Sequence, residues 1–156
     1  MPWRRNLQPI VRPLYQAYSR LSRGATLGVR GLVLNAAGEV LLVEHTYVPG
    51  WFLPGGGVER GETVEQALIR ELQEEAGVST IGRPKLLAVQ ANHRVFRGDH
   101  VVLFRVDAWE PCEATAHAEI RAIAWHAPDR LPDEVTRATR QRIEEFIGGA
   151  DASQHW

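Results

Sequence analysis

Apolar positions along the chain follow two periods, 2 and 3.6 residues, and each change of period marks an element. Leu27 to Leu34 and Val40 to Thr46 are apolar runs separated by Asn35-Ala36-Ala37-Gly38, a composition that predicts a hairpin. Trp51 to Leu53 is a shorter run that follows Pro49 and Gly50. Further strands are predicted at Leu86 to Ala91, His100 to Ala108 and Ala122 to His126, with Arg97-Gly98-Asp99 as the turn between the first two. Between these strands the period lengthens. Leu68, Ile69, Leu72 and Ala76 share one arc of a helix; Thr63 stands at its N-cap with Gln66 three residues on, and Gly77 suits the left-handed C′ position. Pro128 and Pro132 break the chain before a second helix, predicted over Glu134 to Ile147, with Val135, Ala138, Ile143 and Ile147 available for burial. Gly148 and Gly149 end it and leave a frayed tail over residues 148–156. The pattern is α/β, with helices flanking a mixed sheet.

The first helix carries the candidate chemistry. At about 100° per residue, Glu71, Glu74 and Glu75 fall within an arc of about 100° beside its apolar stripe. Like charges so close repel, and a hard divalent cation held by their oxygens removes that cost, with Mg²⁺ or Mn²⁺ as the natural choice. A solvated acidic face is the competing reading of any Glu-rich helix. Gly55, Gly56 and Gly57 immediately upstream are expected both to form a tight turn and to let backbone approach metal and phosphate. Arg70 is expected to point away from the acidic arc and to pair with Glu62 across the loop–helix junction.

The stretch Gly56 to Val78 resembles the signature of the Nudix hydrolases, G-x5-E-x7-R-E-U-x-E-E-x-G-U with U apolar. Gly56, Glu62, Arg70, Glu71, Leu72, Glu74, Glu75, Gly77 and Val78 occupy all nine specified positions without a gap. The preceding WFLPGG, Trp51 to Gly56, is similar to the family's lead-in. The resemblance is dense over residues 51–78 and thinner, as strand pattern, over 25–147. It implies an α-β-α sandwich and metal-dependent hydrolysis of a nucleoside diphosphate linked to another group. It also implies Glu71, Glu74 and Glu75 as metal ligands, with a loop carbonyl of Gly55 or Gly56. Arg70 joins the catalytic set; Glu71, Glu74 and Glu119 are candidates for its acid–base work, Glu119 because His117 to Trp125 resembles the family's later acidic position, with Glu113 and Asp99 as weaker alternatives. Gly55, Gly56, Gly57, Trp51 and Arg94 are the candidate substrate contacts. For Trp51 and Phe52 a core role competes with stacking on a base, and for His93, Arg94, Arg97 and His100 plain solvation competes with phosphate binding.

Composition narrows the class. The net charge of −1 argues against a dedicated nucleic-acid partner. Cys112 is the only cysteine, which excludes an intrachain disulfide and fits a reducing, cytoplasmic setting. No apolar run approaches a transmembrane length. Residues 1–24 are expected to be a basic extension with Arg4, Arg5, Arg12, Arg20 and Arg23; with Arg30 these all precede the first acidic residue, Glu39. Residues 13–22 are expected to form an amphipathic helix for self-packing or homodimer contact ahead of a membrane surface. Residues 25–147 make the catalytic domain and 148–156 the tail. A nucleotide-sensing, non-catalytic member is the alternative function. The subfamily markers downstream of the signature are not visible, so the substrate stays open among nucleoside triphosphates, nucleotide sugars and dinucleotides.

Overall fold

A computed structural model describes residues 24–156; the basic segment 1–23, with the helix expected over 13–22, lies outside them. Two three-stranded sheets and a two-stranded ribbon carry the frame. In the first sheet β1 (Thr26–Val33) runs parallel to β6 (Asp99–Val106), which pairs antiparallel with β5 (Lys85–Ala91). In the second, β2 (Val40–His45) lies between β3 (Trp51–Phe52) and β8 (Ile120–His126), both antiparallel to it. The ribbon pairs β4 (Val78–Thr80) with β7 (Trp109–Pro111). Helix α1 (Val64–Ala76) covers one side and α2 (Arg137–Phe146) the other.

Strand alternation decides which residue meets which helix. Val29 and Val33 of β1, with Val102, Phe104 and Val106 of β6, pack with Leu68 and Leu72 of α1. The intervening Leu32, and Leu103 of β6, join Leu42, Leu53, Val135 and Ile143 on the α2 side. The result is the α-β-α layering that the resemblance implied. Gly31 lets α1 pack close on β1: a Cβ there would stand 3.0 Å from Leu72 Cδ2. Leu72 is fully buried. Leu72→Ala should therefore destabilise the fold by about 2–5 kcal/mol, measurable by urea denaturation, because the surrounding strands cannot collapse onto the void.

The caps of α1 form as the sequence predicts. Thr63 Oγ1 accepts from the Gln66 amide at 3.2 Å while Gln66 Oε1 accepts from the Thr63 amide at 2.9 Å, and Gly77 takes φ +62°.

Four expectations are corrected. The turn at Asn35–Gly38 does form, with Gly38 at φ +77°, but β1 and β2 do not continue as a hairpin beyond an isolated Leu34–Val40 bridge. The outer edge of β1 is taken instead by the glycine loop: Val29 donates to Gly56, Gly31 to Pro54, and Val58 to Leu27, at 2.8–2.9 Å. The second helix begins at Arg137, not Glu134, because Thr136 caps it and Val135 is bridged to Trp51 in extended form. Strands β4 and β7 have no counterpart in the sequence pattern, because three residues each are too short to show a period. Residues 148–156 are not frayed. Ala91 donates to Gln154 and Trp156 donates back to Ala91, both at 3.0 Å, which docks the segment on the end of β5.

Candidate active site

The glycine loop is anchored from both sides. Gly55 is buried at φ +141°, and a Cβ there would lie 2.9 Å from the Val29 carbonyl carbon, so only glycine fits against β1. Its amide donates to Glu75 Oε2 at 2.9 Å. Its carbonyl accepts from the Arg30 guanidinium, which also donates to the Leu53 carbonyl at 3.1 Å. Gly56 faces Glu71: a Cβ would sit 2.6 Å from the carboxyl carbon, so the missing side chain is what lets that carboxylate reach the loop. The Gly56 carbonyl accepts from Val29 at 2.8 Å. Each loop carbonyl retains a second lone pair. Gly57 is exposed, with nothing within 4 Å of where its Cβ would be.

Arg70 does not point away from the acidic arc. Its Nε and Nη2 donate to the two oxygens of Glu62 at 2.7 and 3.0 Å, as expected, but Nη1 turns back to Glu71 at 2.7 Å and Glu74 at 3.4 Å. Nη2 also donates to the Gly57 carbonyl at 3.1 Å. Glu74, at i+4, shares the helix face of Arg70, whereas Glu71 is the adjacent residue and is reached because the long Arg side chain folds back along the loop side of the helix. Arg70 thus ties loop and helix together, and its hydrogen bond, with that of the Glu59 amide, holds the Glu62 carboxyl down at about 2.

Glu75 is also not on an exposed face. It is only 5% exposed, and burial pushes its carboxyl up to about 7, against the opposing pull of the Gly55 amide and the Arg30 charge. Its Oε1 stands 3.8 Å from His45 Nδ1, a buried atom without a hydrogen-bond partner among the described residues. Burial and the Arg30 charge lower the His45 pKa and hold the ring neutral. Burial likewise lowers the Arg30 pKa.

Glu119 lies exposed on the loop before β8, fixed by the Thr46 amide donating to its carbonyl at 2.8 Å. Its charge raises the pKa of both Glu75 and His45. Trp51 packs into the α2-side core, edge-on to His126 at 5.1 Å, with its backbone bonded to Glu134 and Thr136. Arg94 is exposed in the turn between β5 and β6. The sequence pattern does not single out Arg30 and His45, although a lone cation inside the apolar run Leu27 to Leu34 is a usable signal.

Two clefts flank Glu75 and its loop. One, about 220 Å³, is lined by Glu75, His117, Arg121 and Ile123. The other, about 280 Å³, opens beyond Arg30 and is lined by Phe52, Leu53, Asn92, Thr136 and Trp156.

Among the described residues no three His, Cys, Asp or Glu side chains form a ready-made metal cage. Mg²⁺ requires none, since it keeps several waters and takes one or two carboxylates. The donor set fits such an ion: hard carboxylate oxygens of Glu71 and Glu75, drawn to one loop by a Cβ-free approach and mutually repelling when both are ionised.

A complete signature folded onto a glycine loop within an α-β-α sandwich defines a phosphoanhydride hydrolase, and the comparisons agree. The model of the NUDIX domain matches residues 24–146, and the chain belongs to the Nudix family. It is 32% identical over 125 residues to a Bacillus subtilis (strain 168) protein named "Putative 8-oxo-dGTP diphosphatase", covering 80% of this chain and 82% of that one. A MutT-like protein of Streptomyces ambofaciens is 29% identical, covering 80% and 79%. The crystal structure of a MutT NUDIX hydrolase from Burkholderia pseudomallei superposes with a TM-score of 0.67 at 28% identity, over 78% of this chain and 98% of that one. The protein is a pyrophosphohydrolase of a family that generally uses Mg²⁺ or Mn²⁺. No helix among the described residues is long and apolar enough to cross a membrane.

Proposed function

We propose that the protein is a divalent-cation-dependent nucleoside triphosphate pyrophosphohydrolase that releases a nucleoside monophosphate and pyrophosphate, with guanine nucleotides, oxidised ones included, as the first class to test. The observation that carries this reading is the placement of buried Glu75 on the Gly55 amide, between the two clefts and within reach of Arg30. The relative named for 8-oxo-dGTP supports the choice of substrate class.

In this reading the nucleoside enters the cleft beyond Arg30 and Phe52, and the phosphates run along Gly55–Gly57 toward α1. Glu71, Glu74 and Glu75, with the Gly55 or Gly56 carbonyl, hold the cation, which when bound neutralises phosphate charge and acidifies a water molecule. Arg70 fixes the Glu71 and Glu74 carboxylates against the loop, so their positions are set before substrate arrives. Glu119, exposed on the loop before β8, takes the proton as the water oxygen bonds to phosphorus and the bridging oxygen leaves with pyrophosphate. The Arg30 guanidinium offers its charge to the phosphates at the junction between cleft and loop.

The test is a panel of dGTP, 8-oxo-dGTP, a UDP-sugar and a diadenosine polyphosphate, incubated with Mg²⁺ or Mn²⁺. Monophosphate and pyrophosphate should appear from the triphosphates and disappear with excess chelator. Binding without hydrolysis of any of the four, in either metal, would replace this reading by a sensing role.

A further inference from the structure

The cleft beyond Arg30 has one wall that the signature does not supply. Trp156 lines it, half-buried and packed on the α2-side core. This ring is positioned by a polar clamp. Arg142, fully buried on α2, lies beneath it at 5.4 Å from guanidinium to ring centroid and donates to the His155 carbonyl at 2.9 Å, Gln90 Oε1 at 3.2 Å and Glu145 Oε1 at 2.7 Å. Glu145 Oε1 accepts from the Ser153 amide at 3.1 Å, and Gln90, 1% exposed, donates to the Ser153 carbonyl at 2.6 Å. Two backbone hydrogen bonds at Ala91 complete the hold.

Burying an ion pair carries a desolvation cost, and apolar packing would hold a tail more simply. What the clamp delivers is a rigid aromatic face at the cleft, so that no ordering of the ring is needed when a ligand arrives. Beside it in the lining stands Asn92. Its Nδ2 is taken by Asp99 at 2.8 Å, while its buried Oδ1 has no partner among the described residues. A cleft of about 280 Å³ is at the small end of ligand sites and matches a flat heterocycle better than an extended chain.

We infer that Trp156 is a specificity-determining residue: it forms the wall on which the nucleobase stacks. This rests on the reading that the cleft receives the nucleoside. Stacking needs a π-face on the ligand, so the contribution of Trp156 vanishes for a substrate without a base.

The experiment compares dGTP with deoxyribose 5-triphosphate, which has the same anhydride and no base. Trp156→Ala should raise KM for dGTP about tenfold or more, the worth of a base–aromatic stack. Its kcat should stay within about threefold, the pattern of lost binding that is equal in ground and transition states. KM for deoxyribose 5-triphosphate should not move, and Trp156→Phe should restore KM for dGTP. Trp156→Leu, which keeps an apolar side chain against the core, should behave like the alanine variant and guards against loss of fold. Independently of turnover, dGTP should quench indole fluorescence in the parent protein and lose most of that quench in Trp156→Phe. Equal KM shifts for both triphosphates, or the same quench in both proteins, would reduce Trp156 to a structural plug and overturn the inference. If the parent protein hydrolyses neither compound, the functional reading fails, and the fluorescence comparison still decides whether Trp156 meets a base.

Discussion

Replacing Glu75 by glutamine should lower kcat by roughly 100-fold or more while making the metal-free protein more stable at neutral pH. The loss of activity follows from the position of the side chain, since even groups that only orient metal ligands are worth 10–100-fold. The gain in stability follows from its burial. In the fold the Glu75 carboxyl sits at about 7, against 4.5 as its ordinary value, because burial disfavours the charged form. A carboxyl raised in the native state binds more protons there than in the unfolded chain, so stability is full below about pH 4.5 and falls as pH rises to and through 7. The stability forfeited is on the order of 3 kcal/mol. Glutamine keeps an oxygen for the Gly55 amide and removes the charge. Thermal melts of the chelated proteins between pH 4 and 8 should show a declining curve for the parent and a flatter one for Glu75→Gln. Addition of Mg²⁺ at pH 8 should raise the parent melting temperature and leave the variant unmoved. Parallel pH curves for the two proteins would show that Glu75 is not the buried titrating group.

Arg142→Met should destabilise the protein by about 3–5 kcal/mol, the range for breaking a buried pair and leaving its partner charged. Glu145, 7% exposed, would lose its shortest donor and keep only the Gln141 amide at 2.9 Å and the Ser153 amide. The His155 carbonyl and Gln90 Oε1 would lose their donor as well. The double variant Arg142→Met with Glu145→Leu should recover most of the loss, because no stranded charge remains. Chemical denaturation of the two variants measures both effects, and a double variant no more stable than Arg142→Met would place the cost in the tail contacts and not in the ion pair.

The physical difference between these two sites explains how each could be read. Glu71, Glu74 and Glu75 stand three and four residues apart on one capped helix, so local geometry alone places them together. Thr63, Gln66 and Gly77 likewise act within their own helix, and their hydrogen bonds form as the spacing requires. Arg30, by contrast, is 25 residues from the Gly55 carbonyl that it reaches. Gln90 and Arg142 are 52 apart. Nothing in the period of either segment encodes those meetings. The burial of Glu75 is of the same kind: its helix position was legible, but the loop and strand end that close over it were not.

The capped acidic helix, the glycine loop before it, the core-facing alternation of the main strands and the family are all legible in short stretches of sequence. Those features depend on neighbours a few residues apart, where backbone geometry leaves few choices. The pairing of β1 with β6 and the glycine loop instead of β2, and the placement of Trp156 as a wall of the cleft, emerge only when the whole chain is folded. Each of those is a competition between distant segments for the same hydrogen-bonding edge or charge, and its outcome is set by which surfaces the whole chain can bury at once.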